Sequence, residues 1–281
     1  MDAMLLALVS AALFGAMTVA LRFALAQGAG AEAGALLTIA TAFVVTLPFA
    51  LAAGIDLGGL FPFALAGLLG PGLSQVLFTL AVRDAGPSRT SVAVGTAPLF
   101  SVAIALVFLD EPLVAGLIVG AILIVAGGLL LVGERGRPEH VRTVGIVFAL
   151  VATVVFASRD NLVRWLAVDT DVAAAPAASA TLAAGLLVVL GWTAIARVRI
   201  SFRTGMRRLA VAGLCFGLSY LALFEAYYRG RVTVVSPLVA TESLWGVGLS
   251  ALLLRAELVG VRLLAGAALV VAGGALIGVS R

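Results

Sequence analysis

Long apolar runs without charged residues dominate this chain and restrict what it can fold into. A helix crosses the roughly 30 Å core of a bilayer with about 20 apolar residues. Ten such runs are present among the 281 residues, and only short connections separate them. They lie near residues 3–25, 33–53, 59–81, 90–109, 113–132, 143–166, 172–196, 208–228, 232–254 and 260–279. We therefore predict an all-α integral membrane protein with ten transmembrane helices.

The composition agrees with a membrane protein and excludes several kinds of chemistry. The chain is 63% hydrophobic and 11% charged, and all 18 basic residues are arginine. Without lysine, neither a Schiff base nor a Walker-type phosphate loop can form. Because His140 and Cys215 are single residues of their type, a metal cluster and a disulfide are excluded. We expect no metal, no cofactor and no enzyme activity.

The second half of the sequence repeats the first at an offset of 142 to 146 residues. Residues 120–128 and 266–274 agree at seven of nine positions, and other matches follow in the same order. We therefore predict two five-helix repeats, residues 1–137 and 138–281. Because five is odd, the second repeat enters the membrane inverted, an architecture associated with secondary transporters.

The arginine distribution indicates both an orientation and a partner. Thirteen arginines lie on odd-numbered connections, and four lie on even connections and the termini. By the positive-inside rule, the odd connections face the cytoplasm and both termini face outward. Short arginine clusters between apolar runs are typical of contact with lipid headgroups, so we expect membrane lipids and no nucleic acid as partners.

Short motifs lie in both halves of the chain in a characteristic order. In the first half they are Leu13-Phe14-Gly15, Arg22, Ala81-Val82-Arg83, Pro98-Leu99-Phe100, Asp110-Glu111-Pro112, Gly120-Ala121 and Ala126-Gly127-Gly128. In the second half they are Phe156, Arg164, Ser236-Pro237-Leu238, Glu257, Gly266-Ala267 and Ala272-Gly273-Gly274. With these motifs the whole chain resembles the EamA-type transporters of the drug/metabolite transporter superfamily.

This resemblance implies a multi-pass protein of the cell (plasma) membrane that transports a small metabolite, most often outward. It also implies that helices one to four and six to nine surround a central cavity, with helices five and ten at the periphery. Members with cytoplasmic termini are known in such a family, so the resemblance leaves the orientation open.

Ionisable residues inside the apolar runs are the main candidates for function, since each costs about 2.5–3.5 kcal/mol at mid-membrane. Glu242 lies near the centre of the ninth run. We predict that it binds substrate and serves as the coupling residue; the alternative is a hydrogen-bonded packing residue. Arg159 and Asp160 are predicted to line the cavity from the sixth run. The alternatives are snorkelling for Arg159 and an i,i+4 pair of Asp160 with Arg164; an Arg159–Glu242 pair is a further hypothesis.

Neutral polar and aromatic residues complete the predicted substrate-binding set. Gln75 in the third run and its repeat mate Tyr220 in the eighth offer hydrogen-bonding groups at corresponding positions. Bonds that only hold helices together are the alternative. Phe14, Phe156 and Trp245 are candidate cavity walls through apolar or cation–π contact, and their alternative is a packing or lipid-facing role.

Together these features favour alternating-access transport of a small-molecule substrate, driven by a proton or substrate gradient. The alternatives are an intramembrane lipid-modifying enzyme, a channel or a scaffold. Paired acidic motifs of the DxxxD kind are absent from the sequence, and its charges are too scattered for a channel's polar ring. A monomer is sufficient for this mechanism. The sequence leaves the substrate open among amino acids, nucleosides, sugars and organic cations.

Overall fold

The computed structural model describes residues 2–108, 115–132, 142–198, 202–254 and 260–280, and these residues form helices and short connections without strands. The helices are α1 Ala3–Ala26, α2 Ala31–Ala53, α3 Leu57–Gly67, α4 Ser74–Ala85, α5 Pro87–Val94, α6 Ala97–Phe108, α7 Ala115–Val132, α8 Thr143–Val168, α9 Ala174–Ile195, α10 Phe202–Arg229, α11 Val232–Val239, α12 Glu242–Leu253 and α13 Val261–Val279. The all-α prediction is confirmed.

Within these described ranges, nine helical stretches are long and apolar enough to cross a membrane. Three of them consist of two helices each: α3 with α4, α5 with α6, and α11 with α12. The predicted fifth span corresponds to α7, a shorter apolar helix between stretches outside the described residues. The predicted integral membrane fold is confirmed, while the division into repeats at residues 137 and 138 stays a prediction.

The fourth span (α5 and α6) and the ninth span (α11 and α12) bend at corresponding places. In each bend, a backbone N–H donates to the carbonyl three residues earlier: Thr96 to Ala93, and Thr241 to Leu238, both at 3.1 Å. The hydroxyls of the same threonines donate to the same carbonyls at 2.6 Å. Each bend is therefore stabilised by one threonine, whose backbone N–H and hydroxyl both donate to the same carbonyl.

Proline and glycine lie beside the interruptions. Pro98 follows the first bend and Pro237 precedes the second; each lacks the N–H that would continue the helical bonding. In the third span, Leu68–Leu73 joins α3 to α4 through a kink in which Gly70 is extended (φ −133°, ψ 115°).

Helices from the two halves of the chain pack closely on each other, above all α1 on α10 and α7 on α13. Glycines allow the second contact. A Cβ at Gly120 would lie 2.6 Å from the carbonyl oxygen of Gly273, and a Cβ at Gly127 would lie 2.6 Å from that of Gly266. The GxxxG sequence from Gly116 to Gly120 therefore serves a contact within the chain.

Candidate substrate cavity

A cavity lies between the bends of the fourth and ninth spans. Its walls come from six spans, the first, third, fourth, sixth, eighth and ninth. The lining residues are Phe14, Phe78, Val94, Ala97, Phe156, Arg159, Asp160, Leu223, Ser236, Val239, Ala240 and Glu242. Among the described residues, α7 and α13 contribute none of the lining, in agreement with the peripheral position that the family resemblance implies. The second and seventh spans, α2 and α9, contribute none either, which differs from that expectation.

The cavity is narrow in this conformation. Its volume is about 30 Å³, which is space for roughly two water molecules. Ligand pockets, in comparison, hold roughly 300–1,000 Å³. A metabolite would therefore enter only if the surrounding spans move apart.

Arg159 and Asp160 form a buried ion pair in the cavity wall. The guanidinium Nε lies 2.7 Å from Asp160 Oδ1, and the two side chains are 2% and 7% exposed. The contact is ionic, because its angles are not those of a hydrogen bond. The hydroxyl of Tyr227 donates to Asp160 Oδ2 at 2.8 Å, and Arg159 Nη1 donates to the hydroxyl of Tyr220. Two tyrosines of α10 thus hold both charges in place.

Aromatic rings and a glycine accommodate the rest of the arginine side chain. The guanidinium carbon lies 4.9 Å from the ring centre of Tyr220 and 5.6 Å from that of Phe156, within the range of cation–π attraction. A Cβ at Gly70 would lie 3.3 Å from Cβ and Cγ of Arg159. The kink of the third span therefore brings bare backbone against the arginine stem.

These pairs differ from the two that we considered from the sequence. Asp160 takes its partners from Arg159 and Tyr227, and Arg164 Nη1 donates instead to the carbonyls of Tyr227 and Tyr228 at 2.9 and 3.2 Å. Because Arg159 and Asp160 are both buried in the same wall, direct contact compensates both charges at the least desolvation cost. That contact also engages the arginine that we had considered as a partner for Glu242.

Glu242 begins α12 and lines the cavity with 5% of its surface exposed. In the part of the chain that the structure describes, no hydrogen bond or ion pair reaches its carboxylate. Arg159 and Asp160 line the same cavity from α8, and Ser236 lines it from α11. The cavity thus contains one ion pair and one further acid.

Phenylalanine rings form much of the remaining wall. Phe78 and Phe156 meet edge to face with ring centres 6.1 Å apart. Phe14 packs on Phe216 at 5.7 Å and on Tyr220 at 6.2 Å. The predicted wall positions of Phe14 and Phe156 agree with this arrangement.

Gln75, Tyr220 and Trp245 do not line the cavity. Tyr220 lies behind Arg159 as its hydrogen-bond acceptor. Gln75 is fully buried, and within the described residues its amide nitrogen and oxygen have no hydrogen-bond partner. Trp245 is 48% exposed. A Cβ at Gly15 would lie 2.5 Å from the Cβ of Trp245, so α1 and α12 are too close for the indole to turn inward.

Sequence reasoning missed several lining residues that the predicted repeat relates to each other. At the predicted offset, the lining residues form the pairs Phe14 with Phe156, Phe78 with Leu223, Val94 with Val239, and Ala97 with Glu242. Applying the repeat to apolar positions as well as polar ones would have found them. Tyr227 was missed too, although it lies seven residues after Tyr220 and so shares its helix face.

Away from the cavity, Glu225 and Arg229 form a local ion pair, with Arg229 Nη2 lying 2.8 Å from Glu225 Oε2 at an exposed position. Asp110-Glu111-Pro112, His140 and Glu257 lie outside the described residues.

The fold and the cavity define a class: a multi-pass helical membrane protein with a buried polar site between two bent spans. Residues 1–133 match the EamA-like transporter family. Over the first half of the chain, this match confirms the resemblance to EamA-type transporters of the drug/metabolite transporter superfamily that was recognised in its motifs.

Other comparisons add to the evidence for the fold alone. A solved crystal structure is similar over 99% of this chain and 97% of its own, with a TM-score of 0.73 and 21% sequence identity. No curated protein matches the sequence.

Proposed function

We propose that this protein is a secondary active transporter that carries a small metabolite across the cell membrane by alternating access. The observation that supports this most directly is the buried cavity, with its ionisable groups, between two bent spans of an EamA-type chain. Buried charges at membrane depth are costly and are characteristic of substrate and ion pathways.

The two bends provide a physical route for opening the cavity. Val94 and Ala97 line it beside one bend, and Val239 and Glu242 line it beside the other. Helix interruptions at a midplane site are a recurring feature of transporters. A change of angle at one bend opens the cavity toward one side of the membrane, and a change at the other opens it toward the opposite side.

Glu242 is the proposed coupling residue. A carboxylate in the cavity can hold either a proton or a positively charged group of the substrate. Exchange between the two couples movement of the proton to movement of the substrate across the membrane. Arg159 and Asp160 face the cavity from α8, Tyr220 and Tyr227 stand behind them on α10, and Ser236 faces it from α11. Because Arg159 and Asp160 neutralise each other, Glu242 is the acid whose charge the substrate or proton must balance.

A counterflow assay in proteoliposomes tests the proposal. Vesicles loaded with pools of amino acids, nucleosides, sugars or organic cations are given a trace of the labelled compounds outside. Saturable exchange of one pool is expected. In a second measurement, an inward or outward pH gradient is expected to drive accumulation of the same compound. Glu242→Gln should abolish the gradient response, whereas Glu225→Gln, an identical change in an exposed ion pair, should retain it.

The outcomes separate this proposal from its alternatives. Flux that does not saturate and shows no counterflow would indicate a channel. Conversion of a lipid by the purified protein would indicate an enzyme. If folded, inserted protein exchanges none of the pools, the transport proposal is wrong.

Alternating access has its own test, because Cys215 is the only cysteine of the chain. In a Cys215→Ala background, single cysteines replace Val94 or Val239, the paired residues beside the two bends. Each cysteine is expected to react with a membrane-impermeant maleimide added to either side of the membrane. Substrate is expected to raise the rate of reaction from one side and to lower the rate from the other. Reaction from one side only, with or without substrate, would contradict alternating access.

A further inference from the structure

The balance of charge in the cavity limits what can bind there. Among the described residues, three ionisable side chains line it: Arg159, Asp160 and Glu242. Arg159 and Asp160 are in contact at 2.7 Å and neutralise each other. Glu242 is 95% buried and has no hydrogen bond or ion pair within the described ranges. The cavity therefore carries one unbalanced acid.

Arg159 is already engaged within the protein. Its Nε faces Asp160, its Nη1 donates to Tyr220, and its guanidinium carbon lies near the rings of Phe156 and Tyr220. A substrate carboxylate or phosphate that displaced Asp160 would leave a buried acid without its partner. Such a loss is strongly destabilising in a protein interior. The pair is therefore expected to remain closed during binding.

The remaining walls suit an organic cation. Phe14, Phe78 and Phe156 present aromatic rings to the space that Glu242 faces. Ring faces attract ammonium groups, and aromatic cages are a common way to recognise alkylated ammonium. Val94 and Val239, which correspond to each other in the predicted repeat, offer apolar surface for the alkyl or aryl body of the substrate.

We propose that the substrate is a monovalent organic cation with an apolar body, and that its ammonium group binds Glu242 between the phenylalanine rings. This inference rests on the transport function proposed above and specifies the substrate class for the same cavity. A zwitterion or an anion would add a negative group to a cavity whose described lining already carries one unbalanced acid.

Three probes that share a phenyl group test the charge requirement: benzyltrimethylammonium, L-phenylalanine and 3-phenylpropionate. These are a cation, a zwitterion and an anion of similar size. Equilibrium binding of each labelled compound is measured on the purified full-length protein in detergent. Counterflow of each is measured separately in proteoliposomes, so that binding and transport are observed independently.

The cation is expected to bind and exchange, at least tenfold more tightly than the other two probes. Glu242→Gln, which keeps the shape of the side chain but removes its charge, should weaken cation binding at least tenfold. Phe14→Leu should weaken it several-fold while preserving the preference for the cation. Glu225→Gln controls for loss of a carboxylate elsewhere and should bind as the unaltered protein does.

Each other outcome overturns a particular part of the reasoning. If phenylalanine or phenylpropionate exchanges and the cation does not, the substrate class is wrong while the transport function stands. If the cation binds through Glu242 but never exchanges, the site assignment stands and the transport function is wrong. Equal binding by Glu242→Gln and the unaltered protein, or no binding of the cation at all, would refute this inference.

Discussion

Arg159→Met is expected to destabilise the fold far more than the same change in an exposed ion pair. Methionine keeps much of the apolar stem but removes the guanidinium. Asp160 then loses the contact at 2.7 Å and keeps one donor, the hydroxyl of Tyr227. Removing one partner of a buried pair typically costs about 3–5 kcal/mol, because the remaining charge is buried without compensation.

Two companion variants isolate the contribution of the pair. The double variant Arg159→Met with Asp160→Asn removes both charges, and replacing both partners of a buried pair is often nearly neutral. We therefore expect the double variant to be about 2–3 kcal/mol more stable than Arg159→Met alone. Arg229→Met breaks a pair whose side chains are 49% and 38% exposed, and its expected cost is about 0.3–0.5 kcal/mol.

The free energy of unfolding can be measured for four variants and the unaltered protein by titrating sodium dodecyl sulfate into mixed micelles and following helicity by circular dichroism. The variants are Arg159→Met, Asp160→Asn, the double variant of the two, and Arg229→Met. The expected order of stability places Arg159→Met lowest and Arg229→Met close to the unaltered protein. If Arg159→Met costs no more than Arg229→Met, or if the double variant is less stable than both single ones, the ion pair does not hold this wall as we argue.

Two further predictions concern helix contacts and bends. Gly120→Ala places a Cβ 2.6 Å from the carbonyl oxygen of Gly273. It should lower the free energy of unfolding by about 1–3 kcal/mol relative to Gly248→Ala, whose added Cβ meets open space. Equal stability of the two variants would contradict close packing of α7 on α13. Thr241→Val removes a hydroxyl bond to Leu238. It should cost about 0.5–1.5 kcal/mol by the same titration and change the counterflow rate; an unchanged rate would argue against a hinge at this bend.

The positions of the spans could be predicted from the sequence because hydrophobicity alone determines them. The predicted run 3–25 corresponds to Ala3–Ala26, and the run 172–196 contains Ala174–Ile195. The kink of the third span was not predicted, because local propensity does not specify how a Gly–Pro pair bends a helix that neighbours support. The other two bends lie beside Pro98 and Pro237, where the sequence itself shows that a backbone donor is missing.

The site was predictable by depth but not by contact. Hydropathy placed Glu242 and Arg159 inside the membrane, and both line the cavity. Which charges pair depends on rotamers and on neighbouring helices, so the sequence left Arg164 open as an alternative partner for Asp160. The exposed position of Trp245 agrees with the lipid-facing alternative considered from the sequence, and it follows from the close approach of α1 at Gly15.

The predicted repeat and the charges of the cavity give different information about function. Apolar lining residues correspond across the two halves, as Val94 does to Val239, and the threonine bonds at the two bends correspond as well. The charges do not, because Ala97 stands where the second half has Glu242, and Met17 stands where it has Arg159. Symmetric apolar walls suit the exchange of two opposite conformations, since each half can adopt the shape of the other. In the proposed mechanism, the acid that binds the cation lies in the second half only. A bound cation therefore keeps one orientation in both conformations, so it does not have to rotate when the cavity opens to the other side of the membrane.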